Sequence, residues 1–353
     1  MKGIHWLLIF VPIAIVVDLL HANPAIVFVT SALGVIPLAG LLGEATEALA
    51  TKTGPRLGGL LNATLGNAAE LIITLFAIRA GLLELVKASI TGAILGNLLL
   101  VLGFSILLGG LKNGLQKFDR GHVGLDATMT ILAVIALGVP SLFSAAIEPD
   151  KTRVEELSLT TAVAMLVIYG LSVLYALRHK DAAEPTGPVV QPSHIGPHWS
   201  TRQSLGVLAA STVGIAVMSE FLVGSVEPVT AAWGLTEFFV GIIIIPFIGN
   251  VAEHLVAVQV ALKNQMDLSL SVALGSSLQV ALLVAPLLVF LSLLMGNPLT
   301  LEFNGFELIA LTVAAVIAAF VSLDGESNWL EGAMLLAVYL ILTLAFFFLP
   351  RLA

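Results

Sequence analysis

The chain contains no cysteine, which removes disulfides, thiolate metal sites and cysteine nucleophiles together. Charge is scarce as well. Asp, Glu, Lys and Arg make up 11% of the 353 residues, against about 25% in a soluble globular protein, so an ordinary water-soluble enzyme is excluded. The basic side is the thinner one: 15 Lys and Arg stand against 23 Asp and Glu, a net charge of −8, without the clustered basic residues that nucleic-acid binding requires. The sequence also lacks a Gly-x-x-x-x-Gly-Lys-Ser/Thr loop, a His-Glu-x-x-His pair and a Gly-x-Ser-x-Gly elbow. ATP-driven pumping, zinc-protease chemistry and serine hydrolysis are therefore unsupported, and no enzyme activity and no cofactor are expected.

What the chain has in excess is apolar sequence, 58% of it, gathered into runs of about the 20 residues that a membrane-spanning helix needs. Eleven runs can be marked: 4–20, 24–45, 59–78, 88–111, 125–147, 157–177, 203–226, 235–262, 268–295, 304–323 and 328–349. Met1–Leu20 begins like a signal peptide, with Lys2 ahead of an apolar stretch. It lacks a small-x-small cleavage site, however, and leads into further spans, so it reads as a retained helix. Between the sixth and seventh runs, His179–Arg202 carries four prolines and two glycines and reads as a linker. Basic residues set the direction. With the N-terminus inside, Lys2, Lys52, Arg56, Lys112, Lys117, Arg120, Arg178, Lys180, Arg202 and Lys263 lie inside, and Arg79, Lys87, Lys151, Arg153 and Arg351 outside. Ten against five favours a cytoplasmic N-terminus.

A repeat is visible inside this pattern. Gly66-Asn67-Ala68-Ala69-Glu70 returns 183 residues later as Gly249-Asn250-Val251-Ala252-Glu253. Each copy sits near the middle of an apolar run, in the third and the eighth. Five spans separate them, an odd number, so the two helices cross the bilayer in opposite directions, the mark of an inverted repeat with its binding site near the midplane. The expected fold is an all-α polytopic membrane protein of about eleven transmembrane helices. One extra helix (1–22) precedes an N-terminal five-helix repeat (23–178), a cytoplasmic linker (179–202) and an inverted C-terminal five-helix repeat (203–353).

Both repeats carry a polar spot on the following span as well: Asn97 in the first, and Ser276, Ser277 and Gln279 in the second. Glu44 and Glu47 end the second span, and Glu220 lies inside the seventh. A carboxylate at the bilayer centre costs a few kcal/mol, and neither Glu70 nor Glu253 has a Lys or Arg in its own span. Protonation with a hydrogen bond to a nearby carbonyl would explain one such glutamate, but not two in matching motifs. Asn67 and Asn250 each precede their glutamate by three residues and share its helix face. The donors are all oxygens, which suits calcium, an ion that takes about six to eight oxygen ligands, and two carboxylates balance its charge. Burial favours the protonated form of a carboxylate, and a second one nearby does so further, so protons and calcium would compete for one site. Gly66, Gly249 and Pro246 could loosen their helices and free carbonyls, or could simply allow close packing. His254 is a packing or proton-handling residue on this reading, since the zinc motifs are missing. Asp18, Glu84, Glu302, Glu307, Asp324, Glu326 and Glu331 lie near span ends and read as interfacial.

Leu42-Gly-Glu-Ala-Thr-Glu47, Gly58 to Ile72 and Gly249-Asn-Val-Ala-Glu-His254 resemble the cation/proton exchanger family, the calcium/proton antiporters of the calcium/cation antiporter superfamily. The resemblance covers nearly the whole chain. It implies that Glu70 and Glu253 are the central calcium- and proton-binding carboxylates, with Asn67 and Asn250 beside them and Asn97 and Gln279 opposite. It also implies that Glu44, Glu47, Glu220 and Glu227 line or gate the approaches. The linker departs from many relatives: it holds only Asp181 and Glu184 as acidic residues, which puts a regulatory acidic helix in doubt. The expected partners are calcium ions and protons as transported substrates, and the lipid bilayer; nucleic acid is not among them, and a homo-oligomer is left open. The expected location is the cell (inner) membrane, multi-pass. Sodium/calcium exchange or another divalent cation/proton antiport is the alternative, although sodium exchangers tend to hydroxyl-rich Gly-Thr-Ser-x-Pro-Glu motifs where this chain has Asn-Ala-Ala. An ion channel would want an oligomeric filter loop, which the sequence does not offer.

Overall fold

The structure, a computed structural model, describes residues 4–146, 150–178 and 199–349. The predicted linker lies outside the described residues up to His198, as do Lys2, Lys180 and Arg351 of the charge count. A 3₁₀ turn, His5–Ile9, opens the chain. The α-helices then run α1 Phe10–Leu19, α2 Pro24–Leu65, α3 Ala68–Arg79, α4 Leu83–Leu95, α5 Leu102–Asn113, α6 Arg120–Ala146, α7 Lys151–Arg178, α8 Thr201–Gly224, α9 Val226–Trp233, α10 Glu237–Phe239, α11 Ile245–Leu262, α12 Met266–Gln279, α13 Ala285–Leu294, α14 Gly305–Val321 and α15 Trp329–Phe348. The described strands are the two-residue pieces β1 Gln116–Lys117 and β2 Glu326–Ser327, paired antiparallel.

Among the described residues, eight helical stretches are long and apolar enough to cross a membrane, and two shorter apolar ones, His5–Leu19 and Gly305–Val321, accompany them. The protein is thus all-α and membrane-spanning. Each of the eleven predicted runs finds helix. The third is the irregular one, shared between the end of α2 and the whole of α3. At 42 residues, α2 would be about 63 Å long if straight, twice the hydrocarbon thickness. It is bent instead. A Cβ at Gly58 would collide with the carbonyl oxygen of Ala50, eight residues back and about 12 Å away along a straight helix.

Three segments widen from α to π geometry: Gly96–Val101 between α4 and α5, Val240–Ile244 before α11, and Val280–Val284 between α12 and α13. Two of them are followed by a proline at the second helical position, Pro246 and Pro286. A proline ring collides with the carbonyl four residues earlier, here Ile242 and Leu282, and the wider turn makes room for it. The segment at Gly96–Val101 has no proline.

The chain divides into two compact units. The first comprises residues 1–89, 191–253 and 349–353. Within it α8 packs along α2, with α1 and α9 on α2 and α3 on α8. Small residues set the spacing: a Cβ at Gly34 would lie 3.0 Å from Met218 Sδ. The second comprises 90–190 and 254–348. There α15 packs on α5, α6 lies against α12 and α14, and α13 against α7. The α5–α15 crossing brings backbone to backbone, since a Cβ on Gly332 would stand 2.7 Å from the Gly103 carbonyl. Close approach through small residues is how membrane helices gain packing contacts without a hydrophobic driving force.

Side-chain-to-backbone bonds fasten the helix ends of this second unit. At one end Asn113 Nδ2 and Gln116 Nε2 donate to the Ala261 carbonyl at 3.2 and 3.0 Å, and the Asp119 N–H donates to Asp267 Oδ1 at 2.6 Å. At the far end of α6, Ser141 Oγ donates to Leu301 O and accepts from the Phe303 N–H, while Ser158 Oγ accepts from the Leu301 N–H.

Candidate ion-binding site

In the first unit the two Gly-Asn-x-Ala-Glu motifs meet. The chain turns at Gly66–Asn67, with Asn67 at φ −95 and ψ 20, and a new helix begins. Glu70 thereby occupies the first turn of α3, where the exposed N–H groups of a helix start favour negative charge. Its side chain is buried, 5% exposed. Oε1 accepts a hydrogen bond from Asn250 Nδ2, and Oε2 finds no hydrogen-bond partner among the described residues. A carboxylate from the first motif is therefore bound to an amide from the second. Glu253, half-buried one turn beyond Asn250 on α11, lies within electrostatic reach of Glu70. Asn67 is buried beside its own helix start.

The two helices reach this arrangement differently. The first breaks at Gly66, as the sequence suggested. The second does not break at Gly249; its irregular turn sits earlier, at Val240–Ile244, and α11 runs through Gly249 unbroken. Gly249 serves close approach instead, because a Cβ there would lie 3.0 Å from Glu70 Cγ.

In the second unit, Asn97 falls in the first turn of the Gly96–Val101 π segment, and that segment packs against α12, which carries Ser276, Ser277 and Gln279. All four are buried. Asn97 Nδ2 has no hydrogen-bond partner among the described residues. Ser277 Oγ donates to Ala273 O at 3.0 Å, leaving its lone pairs available. The π turns flank these amides in corresponding places, one beginning at Gly96 and the other directly after Gln279.

Among the predicted gating residues, Glu44 and Glu47 on α2 are half-buried and Glu220 and Glu227 are exposed. His254 is half-buried. Glu44 faces His5 of the opening 3₁₀ turn, Nε2 to Oε1 3.5 Å, a partner that sequence reasoning did not single out. Two buried acids also escaped it. Asp126 on α6 is 1% exposed with Oδ2 unpartnered among the described residues. Glu307, read as interfacial, is 1% exposed, because its carboxylate caps α14 instead of reaching water. Among the described residues no three His, Asp or Glu side chains group as metal ligands.

A membrane-embedded helical chain that buries a carboxylate and two amides of a repeated motif has the build of a secondary transporter. The chain belongs to the sodium/calcium exchanger protein family, whose pattern matches residues 23–178 and 203–348. A Ca(2+)/H(+) antiporter of Aphanothece halophytica is 45% identical, over 98% of this chain and 96% of its own length. The Ca(2+)/H(+) antiporter ChaA of Bacillus subtilis is 40% identical, over 96% and 97%. A crystal structure of the Ca2+/H+ antiporter YfkE superposes with a TM-score of 0.86 at 36% identity, covering 99% of this chain and 100% of that one. These relatives are transporters, not enzymes.

Proposed function

We propose that this chain is a calcium/proton antiporter that works by alternating access, with Glu70 and Glu253 binding either calcium or protons and Asn67, Asn250, Asn97, Ser276 and Gln279 supplying neutral oxygens. The observation that carries the reading is the hydrogen bond between Glu70 of one motif and Asn250 of the other, with Glu253 close enough to feel the Glu70 charge. Two neighbouring carboxylates can neutralise one divalent ion or take up protons in its place. The names of the relatives at 45% and 40% identity support the same exchange and weigh against sodium as the counter-ion. The membrane concerned would be the cell membrane, with the N-terminus cytoplasmic. The deciding experiment is calcium uptake into proteoliposomes with and without an imposed pH gradient; uptake that ignored the gradient but required sodium would overturn the proposal.

Two outcomes follow from the donor set. Protons and calcium compete for the same oxygens, so lowering the pH removes charge from the site and raises the calcium KM. Raising the pH should lower KM until both carboxylates are ionised, after which it levels off; the pair titrates as one coupled unit. An uptake series across pH that gave a flat KM would count against shared carboxylates. Magnesium should compete poorly, because it demands a tight octahedron and sheds water reluctantly. Equal inhibition of calcium uptake by calcium and magnesium at equal concentration would point to an outer-sphere site.

A further inference from the structure

Glu307 is the third residue of α14 and forms a capping box with Asn304. The Asn304 N–H donates to Glu307 Oε2 at 2.9 Å, and Asn304 Oδ1 accepts from the N–H groups of Phe306 and Glu307 at 3.0 and 2.9 Å. The cap is complete with those bonds. The remaining oxygen, Oε1, accepts from Thr91 Oγ1 at 2.8 Å, across 216 residues of sequence. Both residues are buried, and both lie in the second unit.

Thr91 behaves unlike the other buried threonines. Thr30, Thr46, Thr74, Thr130 and Thr230 each donate to a carbonyl of their own helix, three or four residues back, which is what a threonine in an apolar helix does by default. Thr91 sends its hydroxyl to another helix. It does so on α4, six residues before Asn97, and the intervening stretch passes from α to π geometry at Gly96. Asn97 has an unpartnered Nδ2 among the described residues, so that group does not hold the side chain in place. The backbone of α4 and the π turn sets where the Asn97 side chain starts.

We propose that Glu307 is a positioning residue for ion binding: through Thr91 it pins α4 to the start of α14 just ahead of the π turn, and so fixes where the Asn97 amide is presented. The inference rests on the reading of Asn97 as an ion-facing group.

The test is calcium uptake by reconstituted full-length protein over a range of calcium concentrations. Thr91→Val keeps the shape and removes the hydroxyl; its KM for calcium should rise about tenfold, with a smaller change in maximal rate. Thr91→Ser should restore KM to within about twofold of the wild type. Glu307→Gln, which keeps a carbonyl oxygen but loses one acceptor, should shift KM the same way and serves if Thr91→Val does not fold. A merely structural bond would lower the yield of folded protein and the maximal rate while leaving KM unchanged in what folds; that result overturns the proposal. Asn97→Ala separates the two ideas. If it raises KM while Thr91→Val and Glu307→Gln do not, positioning fails and the ion-facing role of Asn97 stands. If Asn97→Ala itself keeps a wild-type KM, the underlying reading fails and the proposal falls with it.

Discussion

Glu70→Gln should reduce calcium uptake to background, and Glu253→Gln should do the same. Each substitution keeps the side-chain shape and removes half of the charge that balances a divalent ion. In Glu70→Gln the amide oxygen can still accept from Asn250 Nδ2, which holds Glu70 in place now. Insertion of the variant becomes easier, since a neutral group at membrane depth carries no charge penalty. Folding should therefore survive while transport does not, with a loss of at least about 100-fold in calcium affinity, or about 2.8 kcal/mol. Reconstituted protein that elutes as wild type yet fails to take up calcium is the expected picture. Wild-type uptake by either variant would remove that glutamate from the set of required ligands.

Gly249→Val tests the same site by steric means. The glycine lets α11 approach until a Cβ would stand 3.0 Å from Glu70 Cγ and 4.0 Å from Ile73 Cδ1. Valine adds two further methyls to that space. What it meets is side chain and not backbone, Glu70 Cγ first, so the protein can yield by moving the Glu70 side chain instead of its backbone. The stability loss should stay within the about 1–3 kcal/mol typical of overpacking. Calcium KM should rise by an order of magnitude or more, because the group that moves is a proposed ligand. Uptake kinetics together with a melting curve separate the two effects: an unchanged KM beside a lowered melting temperature would show that Gly249 matters for packing alone.

The eleven apolar runs and the twin Gly-Asn-x-Ala-Glu motifs were legible because both are written in composition and order, and helices in lipid have little choice of conformation. Gly66 and Gly249 looked alike in sequence yet do different things. The break at Gly66 and the unbroken helix at Gly249 depend on what packs nearby, Glu70 in the second case, and no local signal distinguishes them. The π turns were invisible for another reason: one extra residue per turn does not alter hydropathy. Pro246 and Pro286 were the available clues, while Gly96–Val101 offered none. Glu307 could have been recognised. Asn304 three residues ahead of Glu307, just before an apolar run, is a helix-start signature, and it marks a carboxylate occupied by its own helix. Asp126, near the start of its run, had no comparable signal.

The fastenings at the two ends of the second unit bear on how that unit breathes. Connections between helices ordinarily open first, exposing their amides to solvent while the helix centres stay shut. Here Asp119, Leu301 and Phe303 have their N–H groups tied to Asp267, Ser158 and Ser141, and the β1–β2 ladder lies beside the first of them. The helix interiors between these ties are apolar and glycine-bearing, interrupted by π turns at Gly96–Val101 and Val280–Val284. Amide hydrogen exchange in the second unit should then run in the reverse of the usual order, slow at the clasped ends and faster where the two widened turns interrupt the helices.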